Sequence, residues 1–129
     1  MILAIDPGSE KCGVALLDEN GILVSKQIVS RQNVITSIRS LITQYSIAHL
    51  IVGKGAFGQT LEKELTKNIT TLDIIFIDEK NSTLEARKLY WQTNPPKGLW
   101  KFIPTSLRVP PMPIDDYAAQ ILGERYLKG

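Results

Sequence analysis

Short apolar segments and amphipathic segments alternate along this chain, and the alternation predicts an α/β protein. Residues 2–6, 13–17 and 22–29 are three runs rich in Ile, Leu and Val, as expected of strands. The sequence at 18–21 (DENG) joins the second run to the third and is typical of a tight turn. We therefore expect three strands, of which the second and third form a hairpin.

A helix and then a β-α-β unit are predicted after these strands. Apolar residues with helical spacing, behind Asn33 as a capping residue, predict the first helix; they occupy positions 34, 35, 38, 41, 42 and 45. Residues 49–53 and 73–78 are short, apolar and β-branched, as buried parallel strands are. The helix between these two strands is marked by apolar positions 61, 65 and 69.

The C-terminal part of the chain predicts two more helices and one irregular loop. Residues 82–85 (STLE) have the form of a capping box, so a helix is expected from the fifth strand to about Trp91. Six of the seven prolines fall within 94–113, which excludes regular structure there. A last helix is predicted over 114–127. The whole pattern predicts one domain over 1–129, with a mixed five-stranded sheet and helices on its faces.

Composition excludes several kinds of function. The chain has 129 residues, enough for one core, and a net charge of only +2. Its one cysteine, Cys12, and one histidine, His49, exclude a disulfide framework and a Cys/His zinc site. Neither a signal peptide nor a membrane span fits the apolar start at residues 1–5, so we expect a cytoplasmic protein.

Acidic residues follow two of the predicted strands. Asp6 ends the first strand, and Asp78 and Glu79 end the fifth. Ligands of open α/β sheets collect beyond the carboxyl ends of the parallel strands. Gly8, just after Asp6, allows the backbone to turn away and leaves the carboxylate room to face a charged partner. Asp6 could instead be a simple turn residue, but the next predicted element is another strand.

Two further acids begin the last helix. Asp115 shares one helical face with small and apolar residues at positions 118, 119, 122 and 126, which places a carboxylate on the packing face. Asp116 lies on a mixed flank. The two could simply be first-turn acids favoured by the helix dipole. Together with the acids at the strand ends, however, they form a set of hard oxygen ligands without His or Cys, which points to Mg²⁺ or Mn²⁺ and phosphodiester hydrolysis.

Positive charge is concentrated between residues 80 and 113. This stretch has one acid, Glu85, which we interpret as the capping-box partner, and six basic residues: Lys80, Arg87, Lys88, Lys97, Lys101 and Arg108. Trp91, Trp100 and Phe102 are interleaved with them, a combination suited to phosphate contacts and base stacking. The alternative, without a binding role, is a disordered, proline-rich loop whose tryptophans fold back onto the core.

Three segments, in this order and spacing, carry a family resemblance: ILAIDPGSEKCGVAL, FIDEKNSTLEARKLYW and PIDDYAAQILGERYL. The chain resembles the YqgF family of Holliday-junction resolvase-like proteins, also described as pre-16S rRNA processing nucleases, in the RNase H-like superfamily. The first segment alone is unspecific. The second segment, joined to a terminal D-x-x-A-A helix, is much more specific.

The resemblance implies an RNase H-like fold with strand order 3-2-1-4-5 and strand two antiparallel. It transfers the catalytic and metal-binding roles to Asp6, Glu79 and Asp115, and Asp116 could share them because the related junction resolvases carry two acids in the last motif. The fourth strand ends in Gly53-Lys54 without a carboxylate, whereas the resolvases have an acid there. Glu79, two strands from Asp6, must therefore lean inward.

The residues and the resemblance together predict a divalent-metal-dependent endonuclease that uses Mg²⁺ or Mn²⁺ and no protein nucleophile. Structured RNA is the favoured substrate, on the resemblance alone, and branched DNA is the alternative. The nucleic-acid contacts are assigned to Lys80, Arg87, Lys97, Trp100, Lys101 and Arg108. A non-catalytic RNA-binding module for ribosome maturation remains a second hypothesis. We expect no membrane partner and a monomer or weak homodimer.

Overall fold

Five strands form one mixed sheet in the order β3-β2-β1-β4-β5. The computed structural model describes residues 1–55, 57–78, 80, 82–94 and 113–128. The strands are β1 (Ile2–Asp6), β2 (Lys11–Leu17), β3 (Leu23–Ser30), β4 (His49–Gly53) and β5 (Asp73–Ile77). Strand β2 runs antiparallel to both β1 and β3, while β1, β4 and β5 are parallel. The predicted α/β fold and strand order are confirmed.

Within the residues that the structure describes, four helices accompany the sheet: α1 (Val34–Gln44), α2 (Gly58–Asn68), α3 (Ser82–Thr93) and α4 (Asp115–Lys128). None of the helices in the described part of the chain combines the length and the apolar character needed to cross a membrane. Helices α1 and α2 cover one face of the sheet and α4 covers the other. Helix α3 packs on α4, where the rings of Tyr90 and Tyr117 meet edge to face.

The alternation of side chains along β1 determines what each face of the sheet receives. Leu3 and Ile5 enter the core beneath α1 and α2, whereas Ile2 and Ala4 enter the core beneath α4. Successive side chains of a strand point to opposite faces, so Asp6 falls on the α4 side. The first strand therefore sends its terminal carboxylate toward the helix that carries Asp115.

Small residues let α4 lie close to the sheet. Ala119 is fully buried among residues of the α4-side core. Ala118 is also buried, but it packs with Ala86 and Tyr90 of α3. Near the end of the helix, a Cβ added to Gly123 would lie 2.7 Å from Leu17 Cδ1 and 3.3 Å from Ala4 Cβ. The spacing of Ala118, Ala119 and Leu122 predicted buried positions of α4 correctly, whereas Gly123, expected on the mixed flank with Asp116, also lies against the sheet.

Several local expectations were wrong. Strand β2 begins at Lys11, two residues early, because Lys11 and Cys12 pair with β3. Asn33 holds the N-cap position of α1 but makes no capping hydrogen bond through its side chain, since a 3-10 turn (Arg31–Asn33) leads into the helix. Helix α3 starts at Ser82 itself, and Glu85 forms an ion pair with Arg125 at 3.1 Å, which the capping-box reading of Glu85 did not foresee.

Candidate active site

The chain brings Asp6 and Asp115 together through a glycine. Asp6 pairs with Gly13 in the antiparallel ladder of β1 and β2. Gly13 in turn lies against the backbone of Asp115, so closely that an added Cβ would overlap the Asp115 carbonyl and lie 2.8 Å from the Asp116 nitrogen. Directly opposed residues in such a ladder have Cα atoms about 4.5–5.5 Å apart. The first turn of α4 is therefore seated beside the end of β1.

One oxygen of the Asp115 carboxylate has no hydrogen-bond partner among the described residues. Oδ2 of Asp115 is buried, and no donor in the described part of the chain hydrogen-bonds to it. The Lys11 ammonium lies 3.7 Å away, within ion-pair distance, but its side chain is half exposed and solvent weakens the pair. A buried carboxylate oxygen left in this way is costly unless a cation completes its environment. This atom fits a hard divalent ion.

Asp116 lies next to this carboxylate but is engaged differently. Its Oδ1 accepts a hydrogen bond of 3.0 Å from the backbone N–H of Tyr117. Tyr117 is held in place by the Tyr90 ring and by the Lys26 ammonium, which lies 2.9 Å from the centroid of the Tyr117 ring. The peptide group that joins Asp115 to Asp116 lies against Gly13 of β2, and the carboxylate of Asp115 is the one that forms the ion pair with Lys11.

The third predicted ligand, Glu79, lies outside the described residues. Its neighbour Asp78 follows β5 directly and is exposed, and Asp78 Oδ1 accepts a hydrogen bond of 2.9 Å from the Lys80 N–H. Considering only the described residues, no three His, Cys, Asp or Glu side chains are grouped closely enough to hold a metal ion. The three-acid site stays a prediction; the described residues show that Gly13 lies beside both Asp6 and the backbone of Asp115.

The pKa of the Cys12 thiol is influenced by burial and by the charges of Asp6 and Asp115. Its side chain is fully buried on the α1 and α2 face of β2. Burial raises the pKa of the Cys12 thiol above its ordinary value of 9.0, and the carboxylates of Asp6 and Asp115 raise it further. A hydrogen bond from the Gly8 backbone and the Arg31 guanidinium oppose this shift without reversing it. Cys12 therefore remains a neutral thiol at physiological pH.

Two of the predicted nucleic-acid contacts fall within the described residues. Lys80 is exposed just beyond β5, and Arg87 is partly buried on α3. The other predicted contacts, Lys97, Trp100, Lys101 and Arg108, lie outside the described residues, as does nearly all of the predicted loop at 94–113. Trp91 packs edge to face on Tyr90 at 5.0 Å between ring centroids, so it belongs at least in part to the core between α3 and α4.

Two residues near the carboxylates were not singled out by the sequence. Lys11 lies on the same side of β2 as Gly13, and its ammonium is the cation beside Asp115. Gly13 admits the backbone of α4. The available signal was the alternation of β2: positions 11, 13, 15 and 17 share one face, and a glycine inside a strand often marks close approach of another backbone.

The sheet order, and the carboxylates at the end of its central strand, define an RNase H-like α/β protein. Comparison with known families places it further: the model of the RuvX family, described as Holliday junction resolvase, matches residues 1–129. The chain belongs to the RuvX family, also called YqgF, as its motifs suggested. It is similar to a Dictyoglomus turgidum protein named "Putative pre-16S rRNA nuclease", with 26% identity over 102 aligned positions that cover 68% of this chain and 72% of that protein. Both descriptions are of nucleases.

Proposed function

We propose that this protein is a divalent-metal-dependent endonuclease that hydrolyses phosphodiester bonds in structured nucleic acid. The observation that carries the proposal is the seating of Asp115 against Gly13, opposite Asp6, with the buried Oδ2 of Asp115 lacking a hydrogen-bond donor within the described residues. Asp6 and Asp115 are remote in sequence, and both neighbour Gly13 near the carboxyl end of the central strand. This is the end at which α/β sheets bind their ligands.

The residues present fit Mg²⁺ or Mn²⁺. Asp6 and Asp115 would hold the ion, and Glu79 is the proposed third ligand. All three offer carboxylate oxygens, the ligands that these hard cations prefer. When bound, such an ion polarises a phosphoryl oxygen and lowers the pKa of a water molecule.

The chain's own residues supply charge and position. Lys11, beside Asp115, is half exposed, so its ammonium is accessible to a substrate phosphate. Cys12 stays protonated and faces the opposite core, and His49 begins β4 at the far end of the sheet. Neither is placed to attack phosphorus, which supports hydrolysis by water and not through a covalent enzyme intermediate.

We place structured RNA, in the manner of pre-16S rRNA processing, first among the substrates. The name of the Dictyoglomus turgidum relative favours it, whereas the family description favours a Holliday junction. The excess of basic residues over 80–113 suits either polyanion. Branched DNA is therefore the second candidate substrate.

Cleavage assays test the proposal. Purified wild type and Asp6→Asn are incubated with a structured RNA and with a four-way DNA junction, each with Mn²⁺ and with EDTA. We expect cleavage by wild type in Mn²⁺, with RNA cut faster, and loss of cleavage in Asp6→Asn. Equal cleavage by the two proteins would indicate a contaminating nuclease and overturn the assignment.

Binding assays in the same samples separate the non-catalytic alternative. RNA binding that persists in EDTA without any cleavage in Mn²⁺ would favour a ribosome-maturation binding module. That alternative also predicts salt-sensitive binding that Lys101→Ala or Arg108→Ala weakens.

A further inference from the structure

Arg125, on the last turns of α4, binds the backbone on both sides of Glu79. Its Nη1 donates a hydrogen bond of 2.7 Å to the carbonyl oxygen of Asp78. Its Nη2 donates a second, also of 2.7 Å, to the carbonyl oxygen of Lys80. Glu79 itself lies outside the described residues, but both of its chain neighbours are attached to one guanidinium.

The guanidinium is itself oriented by an acid. Glu85, on the first turn of α3, forms an ion pair of 3.1 Å with Nη2 of Arg125. Arg125 is the less exposed partner, at 25% against 49% for Glu85. A guanidinium presents its donors in a rigid planar fork, so one arginine serves two carbonyls and a carboxylate at once.

The turn between β5 and α3 is also fixed from within. Asp78 Oδ1 accepts a hydrogen bond of 2.9 Å from the Lys80 N–H, so the two chain neighbours of Glu79 are also bonded to each other. Arg125 adds the two bonds to the carbonyls. Three hydrogen bonds therefore define the backbone at the two neighbours of Glu79, and two of them come from the helix that also carries Asp115.

We propose that Arg125 is a positioning residue for Glu79. This inference rests on the proposed function, in which Glu79 is a metal ligand. Helix α4 supplies the proposed ligand Asp115 at its first turn. Ten residues further along, or about 15 Å along the helix axis, it supplies Arg125, which binds the two neighbours of the proposed ligand Glu79. Arg125 thus couples the position of the β5–α3 turn to that of Asp115.

Mn²⁺ affinity, measured by electron paramagnetic resonance without substrate, tests this role. We expect Arg125→Ala to weaken Mn²⁺ binding by about 10- to 100-fold, the range found when residues that support metal ligands are removed. Arg125→Lys should recover part of the loss, because one ammonium reaches a carbonyl but does not fork between two. RNA binding in EDTA should be unchanged. Arg39→Ala, which removes a guanidinium bound to the Asn68 carbonyl and side chain on the other face, is the matched control.

A double-mutant cycle shows whether Arg125 acts through Glu79. The losses in Mn²⁺ affinity of Arg125→Ala and Glu79→Gln should be strongly non-additive. Once Glu79 no longer binds the ion, removing the residue that positions it should lower the affinity little further. Circular dichroism and thermal unfolding establish that each variant is folded, and Arg125→Lys carries the test if Arg125→Ala is not. In cleavage, kcat should fall while KM stays near the wild-type value.

Three results would overturn the inference. If Arg125→Ala binds Mn²⁺ as tightly as wild type while Glu79→Gln binds it more weakly, Arg125 does not position Glu79. The nuclease proposal would then still stand. Fully additive losses would show that Arg125 acts on something other than Glu79. Equal Mn²⁺ affinity in wild type and Asp6→Asn would refute the metal site itself, and the positioning role with it.

Discussion

Gly13 of β2 lies directly against the backbone of Asp115 of α4, and the space between them does not admit a methyl group. The atoms that a side chain would meet are the Asp115 carbonyl group and the Asp116 nitrogen, which belong to a backbone anchored in the core. Because Gly13 also pairs with Asp6, this contact sets the separation of the two carboxylates that we assign to metal binding.

Gly13→Ala should therefore lower both stability and Mn²⁺ affinity. Overpacking typically costs about 1–3 kcal/mol. This cost exceeds the roughly 0.5–1 kcal/mol by which alanine in place of glycine stabilises the interior of a strand. Urea unfolding in EDTA measures the first effect and Mn²⁺ titration the second. Gly123→Ala is the control, since its Cβ would meet the flexible end of Leu17 under the same helix but far from Asp115. A Gly13→Ala protein with unchanged Mn²⁺ affinity would contradict the assignment.

Asp115 should contribute more to metal binding than Asp116. Oδ2 of Asp115 accepts no hydrogen bond from the described residues, whereas Asp116 Oδ1 is engaged by the Tyr117 N–H. We expect Asp115→Asn to weaken Mn²⁺ binding at least about tenfold, and Asp116→Asn to weaken it less. In EDTA, Asp115→Asn should unfold at the same or a higher temperature than wild type, because it removes the charge of a partly buried carboxylate whose Oδ2 accepts no hydrogen bond from the described residues. The reverse ranking of the two asparagine variants would show that Asp116 is the ligand.

Lys11→Gln should strengthen Mn²⁺ binding and weaken RNA binding. The ammonium 3.7 Å from Asp115 competes with a cation for the same carboxylate, and its removal should tighten Mn²⁺ binding by up to about fivefold, the upper range for an exposed ion pair. RNA affinity should fall, with a shallower dependence on salt, because one phosphate contact is lost. Lys63→Gln, at an exposed position of α2, removes the same charge far from Asp115 in sequence and serves as the control. Weaker Mn²⁺ binding in Lys11→Gln would mean that Lys11 supports the site instead of competing with the ion.

Cys12 should make the protein less stable in alkaline solution. Burial raises the folded-state pKa of the Cys12 thiol above its ordinary value of 9.0, which is the value that applies in the unfolded chain. Above that pH the unfolded chain loses the proton and the folded chain keeps it, so the free energy of unfolding falls as pH rises toward the folded pKa. Urea midpoints from pH 7 to 10 should decline less steeply in Cys12→Ala than in wild type. Parallel slopes would show that the thiol does not titrate differently on folding.

Most of the fold could be predicted because local patterns and burial agree. The β-branched run at β4 is buried in the sheet, and the apolar stripe of α1 faces the core. The run at β5, predicted to be buried as well, is only partly buried because β5 lies at the edge of the sheet. Even the packing face of α4 followed from the spacing of Ala118, Ala119 and Leu122. The cap of α1 could not be predicted in the same way, because a preceding 3-10 turn changes the geometry at Asn33.

The candidate site was only partly predictable, since its supports are long-range contacts. Asp6 and Asp115 could be named because carboxylates at a strand end and on a packing face are locally unusual. Gly13 and Arg125 act on residues more than forty positions away, and no periodic pattern marks such a pair. Glu85 satisfied a local capping motif, but the structure pairs it with Arg125.

Helix α4 is the last of the described elements to be synthesised, and this affects how the nascent chain folds. A nascent chain that stops before α4 would contain Asp6 but not Asp115, and the sheet face formed by Ile2, Ala4, Ala15 and Leu17 would lack its cover. Such fragments should be held by chaperones or degraded. If Asp115 is a metal ligand as we propose, newly made protein should therefore complete its metal site only after residue 115 has emerged and α4 has docked on the sheet.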